Sequence, residues 1–251
     1  MRVATFNILH GRSLTDGLVD AGRLAHAVRT LDADVLGLQE VDRDQERSGG
    51  ADLTRVAAES MGARDYRFVA ALAGTPGATW TAATGDEQPD SAAYGVALLS
   101  RYPVRAWEVI RLPALPGRVP MLFPRRWTPA LVPDEPRVAV SAVVEGPEGP
   151  VSVATTHLSF VHGWNVLQLR RVVRALGACP RPWVLMGDLN MGPATARRAS
   201  GMRTAAAALT FPTLDPARQL DHVLVDGLPG PFTGAAHDLG LSDHRALVVD
   251  L

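Results

Sequence analysis

The chain has 251 residues, 47 % of them hydrophobic and 20 % charged, with a formal net charge of −1. This is enough apolar material for a sizeable core, in one large domain or two small ones, and too little net charge for a global basic field that would hold a polyanion. All 25 basic residues are arginine, which excludes a Walker-type phosphate loop, a Schiff-base enzyme and a Ser-Lys nucleophile together.

Cys179 is the one cysteine, so no intrachain disulfide and no cysteine-based zinc cluster is expected. No apolar run approaches the ~20 residues that span a bilayer. The chain does not open with a basic segment followed by an apolar stretch, and the expectation is a soluble cytoplasmic protein.

Short apolar runs recur between turn signals. Val3–Leu9 reads as a buried strand, Arg23–Leu31 as a helix and Val35–Gln39 as a strand. Asp52–Met61 is an amphipathic helix with Asp52 at its start. Tyr66–Leu72, Gly95–Ser100 and Val104–Arg111 read as strands. Val138–Val144 and Val151–Thr156 flank the turn Gly146-Pro147-Glu148-Gly149 and make a hairpin. Val166–Leu176 is helical, Trp183–Gly187 is a short core strand, and Ala194–Met202 is a weaker helix. Leu220–Val225 and Arg245–Val249 complete the strands. Strands partly joined by hairpins and mixed with a few helices imply a mixed sheet rather than a pure βαβ winding. Two packed sheets with helices outside, in one domain over 1–251, would use these lengths well.

Two stretches break the pattern. Thr75–Ser91 is small and polar and reads as a long loop. Leu112–Pro136 carries seven prolines, a spacing that forbids a regular helix or a central strand. It is either a surface excursion packed on the core or a border of the substrate site.

Six segments place metal-ligand or proton-transfer residues at the ends of apolar strands. They are Thr5-Phe6-Asn7, Leu38-Gln39-Glu40, Thr155-Thr156-His157-Leu158, Gly187-Asp188-Leu189-Asn190, Leu220-Asp221-His222 and Ser242-Asp243-His244. Strand interiors deliver polar groups at low cost only at their ends, where water or ions reach them. Asp188 and Asn190, two apart, would face one cleft roughly 6–7 Å apart along a strand. Singly, each segment has a plain alternative. Gly-Asp-Leu-Asn is also a turn sequence, Glu40 and Asn7 also suit ordinary strand ends, Ser242-Asp243 suits a cap, and His157 suits a packed histidine.

Taken together and in this order, the segments resemble the endonuclease/exonuclease/phosphatase superfamily, which includes pancreatic-type deoxyribonucleases, abasic-site endonucleases, neutral sphingomyelinases and inositol polyphosphate 5-phosphatases. The likeness runs from Thr5 to His244. It implies a four-layered α/β sandwich, with two packed mixed β-sheets flanked by helices. It implies that Glu40, with Asn7 beside it, is the principal ligand of one Mg2+, that Mn2+ can substitute, and that Asp243 is a further ligand. It makes Asp188 the group that aligns the attacking water and Asn190 a hydrogen-bond donor to the transition state. His244, oriented by Asp221, would contact the scissile phosphate, and His157 matches a second histidine found in the deoxyribonuclease and sphingomyelinase branches. Arg137 is a looser match to a phosphate contact. Arg43, in the Gly-containing segment Asp42–Asp52, is expected near the substrate.

The expected reaction is in-line attack of water on a phosphomonoester or phosphodiester. A small-molecule or lipid phosphoester is preferred, because candidate arginines for a nucleic-acid face (Arg118, Arg125, Arg126, Arg170, Arg171, Arg174, Arg197 and Arg198) are scattered. An endonuclease or exonuclease is the alternative within the class, and a noncatalytic binding protein of the same fold is the alternative outside it. Met121, Leu122, Phe123 and Trp127 beside Arg125 and Arg126 suit either a membrane surface, through 112–136, or anchoring on the core. No obligate protein partner is expected.

Overall fold

The computed structural model describes residues 1–76, 78–88, 90–121 and 130–251. Its strands are β1 (Arg2–Asn7), β2 (Val35–Arg43), β3 (Asp65–Gly74), β4 (Trp80–Ala82), β5 (Ala93–Ser100), β6 (Val104–Leu112), β7 (Arg118–Met121), β8 (Ala130–Pro133), β9 (Arg137–Gly146), β10 (Gly149–His157), β11 (Trp183–Asp188), β12 (Arg203–Thr204), β13 (Asp221–Asp226), β14 (Thr233–His237) and β15 (Ala246–Asp250). The helices are α1 (Ala21–Leu31), α2 (Leu53–Met61), α3 (Trp164–Leu176) and α4 (Pro193–Ser200).

Two mixed sheets carry the architecture. The first has the order β14-β15-β1-β2-β5-β3-β4, and the second β12-β13-β11-β10-β9-β6. Each holds a parallel pair whose crossover contains a helix: β1–α1–β2 in the first, β10–α3–β11 in the second. The remaining pairs are antiparallel, including the expected β9–β10 hairpin.

Strand alternation divides the core into three layers of side chains. On β1 and β2, Val3 and Val35 face the second sheet and pack with Val140, Val153 and Met186. The intervening Ala4, Phe6, Leu36 and Leu38 face α1 and α2. On the second sheet Ala154 and Leu185 face α3 and α4. Helix, sheet, sheet and helix therefore stack in four layers, as expected from the sequence.

Side-chain caps start two of the helices, Asp52 as expected and Asp20 in addition. Asp20 accepts from the amides of Gly22 and Arg23 (2.7 and 3.2 Å), and Asp52 accepts from that of Arg55 (3.0 Å). Each cap satisfies amides that have no partner within the helix. Leu24, Ala27, Val28 and Leu31 then form the buried stripe of α1 at helical spacing.

At Gly37 the backbone of the first sheet lies against Thr155 of the second. A β-carbon there would sit 2.5 Å from Thr155 Oγ1. Beside it, Gln39 Nε2 donates to Thr5 Oγ1 (3.0 Å) and to Thr155 Oγ1 (2.9 Å), a polar link between the sheets inside an apolar core. Buried polar groups are tolerated there because they are paired.

Several expectations change in detail. The stretch Thr75–Ser91, read as a loop, contains β4. The proline-rich stretch Leu112–Pro136 contains the hairpin β7–β8, a two-stranded sheet of its own. Pro120 and Pro133 fit such a ribbon because each strand has an open edge where a missing N–H breaks no ladder bond. Leu122, Phe123, Arg125, Arg126 and Trp127, the residues suggested for a membrane surface, lie outside the described residues. The short edge strands β12 and β14 were not anticipated, since Arg-Thr and Thr-Gly-Ala-Ala-His carry no alternating pattern. Among the described residues no helix is long and apolar enough to cross a membrane.

Candidate active site

The parallel pairs position the site. Asn7 at the end of β1 lies opposite Gln39, and His157 at the end of β10 lies opposite Asp188. The carboxyl ends of parallel strands are where α/β sheets meet their ligands. Here the ends of both pairs meet across the sandwich, since Asn7 Nδ2 donates to Asp188 Oδ2 at 3.1 Å.

Glu40 does not end its strand as expected. β2 continues to Arg43 through a bulge between Leu38 and Val41, and Glu40 sits in that bulge with φ +57°. A bulge re-aims a side chain without ending the ladder. Asn190 (φ +50°) and Ser242 (φ +70°) also adopt the left-handed conformation. Non-glycine residues hold it only where the surroundings fix them. Asn7 Nδ2 donates to Glu40 Oε1 (3.0 Å), the Asn190 amide donates to Asp188 Oδ1 (3.0 Å), and Ser242 Oγ donates to the Asn7 carbonyl (2.6 Å). Gly187, with φ +144°, precedes Asp188 where a β-carbon would lie 1.9 Å from the Thr156 carbonyl oxygen.

Asp188 is the centre of the cluster. Its Oδ2 lies 3.4 Å from His157 Nε2 and 3.7 Å from His244 Nε2. Burial pushes its carboxyl up to about 7; Asp221 adds to this, while His244 and the bonds from Asn7 and Asn190 oppose it. His244 Nδ1 lies 2.8 Å from Asp221 Oδ2. Burial works against a charge on His244, yet Asp221 and Asp188 raise it to about 10, so it is an imidazolium at neutral pH, with a hydrogen on both nitrogens and Nε2 free to donate. Phe211 packs against its ring, 4.8 Å between centroids.

His157 is the opposite case. Burial, the Arg137 charge and the His244 charge hold it well below the usual histidine range. Arg137 Nη1 lies 3.2 Å from His157 Nδ1. A guanidinium only donates, so His157 Nδ1 is the acceptor and Nε2 carries the hydrogen that faces Asp188. Asn190 Nδ2 donates to the Leu158 carbonyl (3.0 Å) and stands 3.3 Å from His157 Nε2.

Glu40, Asp243 and the Asn7 amide offer hard oxygen donors of the kind magnesium and manganese take. Burial raises the Glu40 carboxyl above its ordinary range and Asp243 raises it further, against the bond from Asn7. A half-buried carboxylate crowded by a second one fits a divalent cation, which would relieve both. The Asn7 Oδ1 accepts from the Leu9 amide (3.1 Å) and retains a second lone pair. Asp188, Asp221 and His244 also place one ligand atom each within 4.8 Å of one another. That trio is already a hydrogen-bonded ion pair with a third group, and a protonated His244 repels a cation.

The structure thus brings Asn7, Glu40, His157, Asp188, Asn190, Asp221, Asp243 and His244 together, with Arg137 against His157. Arg43 is not among them. Its Nε donates to the Ser91 carbonyl (3.1 Å) and its guanidinium covers the Phe68 ring at 4.9 Å, on the part of β2 that pairs with β5 beyond the bulge. From the same segment Arg47 is held by Asp42 through two bonds (2.8 and 2.7 Å).

Some supporting residues carried no sequence signal. Thr210 Oγ1 accepts from the amides of Leu220 and Asp221 (3.1 and 3.2 Å) and fixes the start of β13. Phe211 reaches His244 from a loop. Ser242 stood within a singled-out motif, but its bond to the Asn7 carbonyl depends on β1 lying beside β15.

The sequence matches the model of the Endonuclease/Exonuclease/phosphatase family over residues 4–244. No match to a curated protein was found. Among solved structures, an endonuclease/exonuclease/phosphatase from Beutenbergia cavernae is similar at TM-score 0.69 and 23 % identity, over 99 % of this chain and 70 % of that one. A sphingomyelinase C from Streptomyces griseocarneus is similar at TM-score 0.63 and 16 % identity, over 99 % and 98 % of the two chains. A mannosyl-6-phosphatase from Bacteroides thetaiotaomicron is similar at TM-score 0.62 and 15 % identity, over 100 % and 98 %. These likenesses are of fold.

Proposed function

Because the chain belongs to the endonuclease/exonuclease/phosphatase family, we propose that it hydrolyses a phosphoester by direct attack of water and needs a divalent cation, magnesium or manganese in its place. The observation that carries this reading is the placement of Asp188 within 3.1–3.7 Å of Asn7, His157 and His244. One carboxylate thereby faces an amide, a neutral imidazole and an imidazolium across a single cleft.

The roles follow from those charges. Asp188, once ionised, takes a proton from the attacking water. His244, kept protonated by Asp221, donates a hydrogen bond to a phosphoryl oxygen as charge develops on it. Asn190 and His157 supply further donors, with His157 held in one tautomer by Arg137. Glu40, Asp243 and Asn7 would hold the cation, whose chemistry is to neutralise the non-bridging oxygens. No covalent intermediate is required.

A small-molecule or lipid phosphoester is the proposed substrate class, in keeping with the net charge of −1. The test is a substrate panel with magnesium: bis-p-nitrophenyl phosphate, sugar and inositol phosphates, sphingomyelin, nucleotides, plasmid DNA and RNA. Hydrolysis of a small or lipid ester, abolished by EDTA and restored by magnesium, is the expected result. Plasmid nicking at low enzyme would overturn the substrate preference. Magnesium binding with no hydrolysis of any ester would favour a noncatalytic protein of this fold.

A further inference from the structure

Beside the cluster lies a cavity of about 1220 Å3, open to solvent on one side. It touches the catalytic groups at three separate points. Asn190 belongs to its wall and stands 3.3 Å from His157 Nε2. Leu220 in its wall is the residue before Asp221. Phe211 in its wall packs against the His244 ring.

Most of the remaining wall is apolar, with His162 and Arg218 as its ionisable side chains. Met191, Leu209, Ala207 and Phe160 supply much of it. Gln219 is buried there, but its Nε2 donates to the Ala206 carbonyl (3.1 Å) and its Oε1 accepts from the Ala208 amide (3.3 Å), so both ends of its amide are engaged. Arg218 lies over the Phe211 ring, 5.0 Å from its centroid, with its charge at the rim. Among the described residues no carboxylate lines the cavity. Leu209 is half exposed within this recess.

We propose that this cavity receives the apolar organic group esterified to the scissile phosphate, so that the substrate is an amphiphilic phosphoester rather than a compact, fully polar one. The proposal rests on the phosphoesterase reading and deepens it. Continuity with Asn190, Asp221 and His244 argues for this occupant. A group bonded to a phosphate at those residues has the cavity as its apolar neighbour, and burial there removes apolar surface from water. The cationic rim at Arg218 suits the anionic phosphate end of such a molecule. Lipid tails and flat aromatic groups share this chemistry, and the experiment separates them.

The experiment measures kcat/KM with magnesium for p-nitrophenyl phosphodiesters whose second ester group is methyl, butyl, octyl or phenyl. Burial at ~0.8 kcal/mol per methylene predicts a rise of about fourfold per added methylene until the cavity is filled. A steeper gain for octyl than for phenyl identifies an alkyl-bearing substrate, and the reverse identifies an aromatic one. Ala207→Trp and Leu209→Asp change exposed wall residues outside the catalytic cluster. They should flatten the gradient and leave the methyl ester within about twofold. Binding of the octyl and methyl phosphonate analogues, followed by calorimetry, gives the same comparison without turnover. Equal kcat/KM across the series in the wild type, or an unchanged gradient in both variants, overturns the inference. Absence of hydrolysis of every ester, including the methyl one, would instead count against the phosphoesterase reading, and the phosphonate gradient would still decide the fate of the cavity.

Discussion

Replacing Asp221 with asparagine tests the charge arrangement most directly. Asparagine keeps the shape and can accept the bond from His244 Nδ1, so the change removes a charge and little else. His244 stands at about 10 instead of 6.5, roughly 3.5 units, or about 5 kcal/mol at ~1.4 kcal/mol per unit. The upward pull comes from Asp221 at 2.8 Å, Asp188 at 3.7 Å and Asp243, against burial. Assigning about half of it to Asp221 gives ~2–3 kcal/mol, so His244 should fall to roughly 8 in Asp221→Asn. The folded-state value is raised above the unfolded one, so the stabilisation is complete below about pH 6.5 and disappears as pH rises through about 10. The variant should therefore be less stable by ~2–3 kcal/mol at pH 6–7, with the deficit vanishing above about pH 10. The alkaline limb of kcat/KM should move down by about two units with it. Urea unfolding across pH and an NMR titration of the His244 ring measure both. If His244 titrates alike in the variant and the wild type, the pairing with Asp221 does not set its charge and the reasoning fails.

Three further outcomes are expected. Glu40→Ala should abolish magnesium binding by calorimetry and lower turnover by about a hundred- to a thousand-fold or more while the circular dichroism is unchanged; retained binding would move the cation elsewhere. Activity should rise on the acid side as Asp188 loses its proton near pH 7, since the raised carboxyl is inert as a base below that value. Raising the magnesium concentration should shift this limb to lower pH, because a cation at Glu40, linked to Asp188 through the Asn7 amide, favours the ionised form of Asp188, and a limb indifferent to magnesium would separate Asp188 from the cation. Gly37→Ala should cost about 1–3 kcal/mol, read as a lower melting temperature, because the added methyl meets Thr155 Oγ1 of the opposite sheet at 2.5 Å. An unchanged melting temperature would mean that the sheets separate there without penalty.

Much of the architecture was legible in local chemistry. Asp52 marks the start of α2 because its side-chain oxygen satisfies a free amide. The apolar run of β1 was legible as a buried strand, but with Val3, Ala4 and Phe6 all apolar only the packing assigns one face to the opposite sheet and the other to the helices. The chemistry-bearing residues were legible for the same reason: an apolar strand followed by Asn, Glu, His or Asp is conspicuous in a linear chain. What local chemistry does not contain is the geometry between distant segments. Glu40 looked like the end of a strand, and only its pairing with β5 reveals the bulge that turns it toward Asn7, with Arg43 beyond it. The charges of the two histidines were equally invisible, since His157 and His244 differ only in their neighbours, Arg137 for one and Asp221 for the other. Segment identity is set by residues a few positions apart. The protonation of Asp188, His157 and His244, and the apolar cavity beside them, are set by groups that meet only when the ends of both parallel pairs close on one cleft.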